Sequence, residues 1–421
     1  MLDSMRTLHS LGITDGEIFH SRQTTTAYEY AAGALKSKNT GTDEGFGVRI
    51  LKEKRLGFSY SSSKSGIADA ARAALSLSLF AAPSQFSFAP QQEYRKLDAY
   101  EQRAAEVSEK ELKDITLQIA DAAGRHAEVQ RILVVAQQGE AAIANTNLLL
   151  AQEKTTSFMA YAEAKDKDGF GFSDYSGYRM LKDPEALGEQ AGTMANEMKG
   201  PKKLPAGKYP VIFSQDTLSS LLGLLAYSFS GEQRRRKISR LWDKEGQKLF
   251  DEKLTIWDDP LADAESRSGF DGEGVASRRM PLIEKGVLRN FYYNREIAAL
   301  AGLPREGNCA RGGYESPPGA GGSNTVIEKG EGEPEQELKK YVYIESMHGL
   351  HTANTTSGDF GAEVSVAFLH EGGRKTPVRG FMVSENVFNL FGKIQSVGAS
   401  QETRGGFIAP KISFRDVPLI S

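Results

Sequence analysis

An α+β fold, with helices and antiparallel strands in separate stretches, is predicted by three features of the 421-residue sequence. Apolar residues recur at helical spacing in a few isolated segments. Runs rich in Thr, Tyr, Val and Ile, punctuated by Gly and Asp/Lys clusters, fill most of the remainder. The stretch KGPKKLPAGKYPVIFS carries Pro201, Pro205 and Gly207 beside Lys202 and Lys203, which breaks any element and keeps the chain in water. It divides the sequence near Leu204 into an N-terminal domain over 1–203, helices on antiparallel strands, and a strand-dominated domain with a few helices over 204–421.

The elements follow in order. Leu2, Met5 and Leu8 share one face of an opening helix, Leu2 to Leu11, that stops at Gly12, a residue free to adopt the left-handed cap. EIFHSRQTTTAYEY, GFGVRIL and RLGFSYS then read as a meander from Gly16 to about Tyr60. Ser65 is placed to cap the next helix, whose Ile67, Ala70, Ala71 and Ala74 make a narrow stripe of small residues suited to lying close on the sheet. After a Pro/Ser/Phe-rich connector, a helix from Ser108 to about His126 and the strands RILVVAQ, AAIANTN and TTSFMAYAEA repeat that arrangement, and a further helix runs from Asp183 to Met198. Beyond Leu204 come YPVIFS, RRMPLIE with GVLRNFYY, NTVIE, KYVYIES, AEVSVAFLH, TPVRGFMV and ISFRDVPLI, with helices near Leu218 to Phe229, Asn294 to Leu300 and Ser384 to Phe391.

Composition narrows the function classes. Fifty-two basic against 55 acidic residues give a net charge of -3, so no basic excess argues for direct nucleic-acid binding. The hydrophobic share of 39%, supplemented by 43 glycines, is that of a globular chain. Cys309 is the single cysteine, so an intrachain disulfide is excluded and nothing points to an oxidising compartment. The N-terminal residues are polar, and the most apolar stretch, Leu221 to Phe229, is about half the roughly 20 residues that span a bilayer. The sequence therefore reads as a soluble chain without membrane association, with the cytoplasm as its default location.

Chemistry-bearing residues are scattered. His348 and His351 in SMHGLHT would face together on a helix, but Gly349 and the preceding KYVYIES place them at a strand end, where a histidine serves as a solvent or interface contact. Cys309 has no second cysteine nearby for a zinc knuckle or redox pair. Gly312, Gly313, Gly319, Gly321 and Gly322, interrupted by two prolines, lack the pattern of a phosphate loop. The basic run Arg234, Arg235, Arg236, Lys237 and Arg240 is flanked by Glu232, Asp243 and Glu245 and reads as a solvated face or interface. Two acidic groups, Asp258, Asp259, Asp263 and Glu265, then Asp271 and Glu273, sit in Asp/Pro/Gly-rich text that reads as surface loop.

Several phrases, in order along the chain, resemble the TldD/PmbA family, once labelled modulators of DNA gyrase: GFGVRILKEKRLGFSYSSS, LPAGKYPVIFS, FDGEGVASRRMPLIEKGVLRNFYYN, YESPPGAGGSNTVIEKGE and GLHTANTTSGDFGAEVSVAFLHEGGRKTPVRGFMVSENVFNLFGKI. The resemblance implies a choice between two kinds of chain. The TldD kind looks like a metallopeptidase, with H-E-x-x-x-H on a helix and a Cys near the C-terminus holding zinc. Here that helix reads LLGLLAYSFSGEQ, so Leu222, Gly223 and Tyr227 stand at the ligand and base positions, and Glu402 or Thr403 stands near that of the Cys. Leucine offers no lone pair, glycine no side chain, and an un-ionised tyrosine is a poor zinc ligand.

The chain thus looks like the PmbA kind, also called TldE. The resemblance implies a subunit without catalytic residues or a metal of its own, partnered in the cytoplasm by a TldD-like catalytic subunit that carries the zinc, and homodimeric when alone. Unfolded peptides, the implied substrate, would bind by adding a strand to a sheet edge. GLHTANTTSGDF, with Gly349, His351, Thr352, Gly358 and Asp359, is the candidate segment lining such a site or contacting a partner. Two other readings stay open: a self-sufficient hydrolase with a metal on His348, His351 and Asp359, and a non-enzymatic modulator acting on gyrase or a toxin-antitoxin system.

Overall fold

A computed structural model of the protein describes residues 1–304 and 309–421. Its N-terminal part runs α1 (Leu2–Ser10), β1 (Gly16–Ala31), β2 (Ala34–Lys52), β3 (Arg55–Ser61), α2 (Ile67–Ser78), a short α3 (Gln102–Ala105), α4 (Glu109–Gly124), β4 (Glu128–Asn145), β5 (Leu150–Asp166), β6 (Gly169–Gly177) and α5 (Pro184–Glu197). The strands form one antiparallel sheet in the order β3-β2-β1-β4-β5-β6. Helix, three strands and helix therefore occur twice, α1 to α2 and α4 to α5, and the two units join where β1 pairs with β4 from Glu17↔Asn145 to Ala31↔Arg131.

Close helix-to-sheet packing follows from residue size. Ala70, Ala71 and Ala74 of α2 are buried against Val48 and Ile50, while Ile119, Leu187 and Ala191 cover Ile132, Val134 and Phe158 in the second unit. In each unit the third strand admits its helix through glycine. A Cβ on Gly57 would stand 1.9 Å from the Ala74 carbonyl oxygen, and Cβ atoms on Gly169 and Gly171 would stand 2.1 and 2.3 Å from those of Ala195 and Ala191. Two helices start where the sequence starts them, and there a side chain supplies the cap: Ser108 Oγ accepts from Glu111 N at 3.1 Å and Asp183 Oδ1 from Ala186 N at 3.0 Å. It differs at α2, where Ser65 belongs to a 3-10 turn (Lys64–Gly66), Gly66 occupies the cap position, and no side chain caps the helix. Met5 and Leu8 of α1 pack on this core, and the side chain of Leu2 lies outside what the structure describes.

The C-terminal part is built on a mixed sheet. Its strands are β7 (Lys202–Lys203), β8 (Gly207–Phe213), β9 (Ile256–Asp258), β10 (Met280–Glu284), β11 (Val287–Leu288), β14 (Thr325–Ile327), β15 (Lys340–His348), β16 (Asp359–Glu371), β17 (Arg374–Arg379), β18 (Met382–Asn386), β19 (Ile394–Arg404) and β20 (Phe407–Ile420), while β12 (Cys309–Ala310) and β13 (Gly319–Ala320) pair only with each other. Helix α6 (Gln215–Ala226) follows β8 directly. Pairing closes a ring: β20 with β8, β8 in parallel with β15, β15 with β16, β16 with β18, and β18 back onto β20 through Met382↔Ile420 and Val383↔Leu419. Leu218, Leu221 and Leu225 of α6 share a core with ring residues Val211, Ile344, Val364 and Phe414. Parallel pairs also join β14 to β20 and β17 to β7, so the antiparallel reading of this half is corrected. The helix read from Ser384 to Phe391 is in fact β18 followed by a single turn, Val387–Leu390, because two neighbouring strands claim Met382–Asn386.

Candidate functional site

Helix α6 is positioned by its first residues. Ser214 Oγ caps it by accepting from Thr217 N at 3.2 Å, and Ser214 Oγ and Thr217 Oγ1 both donate to the Glu345 carbonyl oxygen, at 2.7 and 2.8 Å. Leu218, Leu221, Leu225 and Phe229 are buried on its inner side. Leu222 and Gly223 line a cleft of about 170 Å³ with Ser219, Ile256, Leu282 and Phe407. Gly223 faces open space, with no atom within 4 Å of where its Cβ would stand. Tyr227 begins a 3-10 turn (Tyr227–Phe229) that ends the helix, and Glu402, on β19, lines a different cleft.

These side chains do not fit a zinc ion. The cleft wall is mainly aliphatic and aromatic, and among the described residues no group of three or more His, Cys, Asp or Glu could hold a metal.

Residues 349 to 359 form an ordered loop. Gly349, at φ +97°, turns the chain into a 3-10 turn (Leu350–Thr352), and Thr352 Oγ1 donates back to the Gly349 carbonyl oxygen at 2.8 Å. Gly358, at φ +84°, touches Phe388, which leaves no room for a side chain. His348, His351 and Thr352 are exposed. Asp359 accepts from Asn386 Nδ2 and Ser357 Oγ, both at 2.7 Å, and these bonds hold its carboxyl below the usual range. The adjoining strands are paired on both sides, β15 by β8 and β16, and β16 by β15 and β18. An open edge lies elsewhere: β2 pairs with β1 along its length, but β3 covers only Phe46 to Lys52, leaving residues 34–45 of β2 with one unpaired side.

Where the N-terminal sheet meets loops of the C-terminal half, an ion network is buried that the sequence did not reveal. Arg49 donates to Glu17 through Nε and Nη2, at 3.0 and 2.8 Å, and to Glu273 Oε1 through Nη1 at 2.7 Å. Arg311 donates to Glu17 through Nη2 and to the Gly272 carbonyl oxygen through Nε at 2.6 Å. The Arg49, Glu17 and Glu273 side chains are 2%, 1% and 0% exposed. Burial works against the charge on Arg49, but Glu17 and Glu273 outweigh it and hold the guanidinium above its ordinary pKa. Glu17 is likewise held low by Arg49 and Arg311 against its burial. Asp271, beside them, has its carboxyl pushed up to about 7 by burial and then by the charge of Glu273. A cleft of about 300 Å³ adjoins this network, lined in part by Phe19, Glu153, Asp271, Cys309 and Arg311.

This overturns the surface reading for Asp258 and Glu273, which are 2% and 0% exposed, whereas Asp263 is exposed as read. The available signal was Glu17 and Arg49 themselves, charged residues inside strand runs beside Ile18, Val48 and Ile50. The basic run is more local: Arg234 pairs with Glu245 and Arg235 with Glu232. No described helix is long and apolar enough to cross a membrane.

Models of PmbA/TldA metallopeptidase domain 1, central domain and C-terminal domain match residues 16–78, 102–199 and 206–421. The chain belongs to the PmbA/TldD metallopeptidase family. It is 29% identical over 386 residues to an uncharacterized protein of Methanocaldococcus jannaschii, covering 91% of each chain. To the metalloprotease PmbA of Escherichia coli O157:H7 it is 24% identical, covering 93% of this chain and 89% of that one. The solved structure of TldE from Thermococcus kodakarensis shares the fold with a TM-score of 0.88 at 22% identity, over 99% of this chain and all of its own (100%).

Proposed function

We propose that this chain is the non-catalytic, PmbA/TldE-like subunit of a cytoplasmic zinc metallopeptidase acting on unfolded peptides, with the metal supplied by a TldD-kind partner. The observation that carries this reading is α6, whose Leu222 and Gly223 open onto an aliphatic cleft where a catalytic chain would need an imidazole and a carboxylate. The role left to such a subunit is to complete the enclosure and to hold substrate. The open side of β2 at 34–45 offers backbone donors and acceptors to an extended peptide, a mode that asks little of side-chain identity. Without its partner the chain pairs with itself.

The test is purification of the chain alone and together with a partner carrying H-E-x-x-x-H, followed by elemental analysis and assay on an unfolded protein. The lone chain is expected to hold no stoichiometric zinc and to cleave nothing, and the pair to form one complex with zinc and activity. Dialysis-resistant zinc with peptidase activity in the lone chain would sink the proposal.

A further inference from the structure

A polar pocket of about 170 Å³ lies on the seam between the N-terminal sheet and the ring, apart from the α6 cleft and the Arg49 network. Its volume is that of about six waters at roughly 30 Å³ each. β6 supplies Asp174, α5 supplies Met194, the start of α6 supplies Gln215 and Asp216, and β15 supplies Glu345. Asp174 and Asp216 thus bring carboxyls to the pocket from the two sides of the seam.

The bases lining the pocket are engaged elsewhere. Arg404 Nη1 donates to the Asp174 carbonyl oxygen at 2.7 Å, and Lys411 Nζ pairs with Glu335 at 2.7 Å. Lys375, whose charge also reaches Glu345, pairs with Glu197. A second, independent feature is Gln215, only 8% exposed. It spends Nε2 on the Ala409 carbonyl oxygen at 2.6 Å and leaves its buried Oε1 without a partner. A buried acceptor without a donor costs about 1 to 3 kcal/mol, so the pocket is short of donors.

We propose that this pocket binds a primary ammonium group, with the carboxylates of Asp174, Asp216 and Glu345 and the amide oxygen of Gln215 as its acceptors. An ammonium brings three donors and a positive charge, which suits a lining whose acids, Asp174, Asp216, Glu345 and Glu402, outnumber its bases, Arg404 and Lys411. Phe172, Phe213 and Met194 on the same wall suit the aliphatic stem of an alkylammonium. A bare metal ion is a poorer occupant, because these carboxylates do not converge as a ligand set among the described residues. Burial, and then the charge of Asp216, push Asp174 up to about 6. Burial first, with Asp216 adding to it against nearby cations, pushes Glu345 up to about 7. A bound ammonium would draw both toward ionisation, so binding near neutral pH should release protons.

The inference holds whether or not the chain is a silent subunit. The test is calorimetric titration of the full chain with n-butylammonium near neutral pH, in two buffers of different ionisation enthalpy. Saturable binding with buffer-dependent heat, the mark of proton release, is expected from the unmodified chain. Glu345→Gln and Asp174→Asn, isosteric changes to be checked for unchanged melting, should weaken it roughly tenfold or more. Two short peptides separate the sources of the ammonium, one with a free N-terminus and no lysine, the other N-acetylated with one lysine. No saturable amine binding, equal binding by an N-acetylated peptide without lysine, or affinity unchanged in folded Glu345→Gln and Asp174→Asn chains would overturn the assignment.

Discussion

Arg49 fills its guanidinium with carboxylate bonds and lies beside Phe86 and Phe88, whose ring centres are 5.5 and 5.4 Å from its Cζ. Removing one partner from such a group leaves a buried charge uncompensated, which costs about 3 to 5 kcal/mol. Arg49→Met is expected to lose about that much stability in urea unfolding, and Glu273→Gln somewhat less because an amide oxygen still accepts. The double variant should lose clearly less than the sum of the two, since both remove one interaction. Strict additivity, or a loss under about 1 kcal/mol for Arg49→Met, would show that the network contributes little. The charged residues at the strand ends were readable as oddities. Their partners were not, because Glu273 lies 224 residues beyond Arg49 and its own FDGEG context resembles a surface turn.

At the scale of elements, glycines decide how near α2 and α5 come to the sheet. Gly57→Ala and Gly171→Ala would drive a methyl into a helix carbonyl, forcing a shift that costs about 1 to 3 kcal/mol. Gly41→Ala on the exposed part of β2 meets nothing within 4 Å and should be neutral or slightly stabilising. Thermal melting of the three variants checks this, and equal melting points would remove the close-packing argument.

These same glycines explain what was legible. The alanine stripe of α2 and the starts of α4 and α5 at Ser108 and Asp183 were visible because helix periodicity and the residues that open a helix are local signals. β6, GFGFSDYSG, went unread because its inward positions are Gly169 and Gly171, so the apolar alternation is inverted. β19, IQSVGASQETR, shows little alternation and forms because β20 runs beside it.

For the whole molecule, buried acids set how stability depends on pH. Asp271, Glu345 and Asp174, with ordinary values of 3.8, 4.5 and 3.8, are pushed up to about 7, 7 and 6. A raised acid binds its proton more tightly when folded. Its contribution is therefore complete below the unfolded pKa and disappears as pH rises through the folded value. Glu17, held low by Arg49 and Arg311 against burial, acts oppositely and is lost in acid as pH falls through its folded value. Melting temperature at fixed ionic strength should therefore fall from about pH 5 to about pH 8, and Asp271→Asn should flatten that fall. A melting point that climbs across the interval, or an equal slope in Asp271→Asn, would contradict the assignment.

The closed ring bears on how the protein is made. Ile212 must find Ser413, and Val383 must find Leu419. At about 5 to 20 residues per second, the ribosome takes about 10 to 40 s to travel the roughly 200 residues between Ile212 and Ser413. During that wait Val211, Ile212 and Phe213, all buried in the finished molecule, lack β20 on one side and, until residues 342–344 are made, β15 on the other, although the six strands of the N-terminal sheet have already been synthesised. Contacts so distant along the chain also form slowly. The nascent C-terminal half is thus a client for chaperones until its last strand is released, and a stall or truncation shortly before residue 413 would leave the ring open at both β8 and β18 at once.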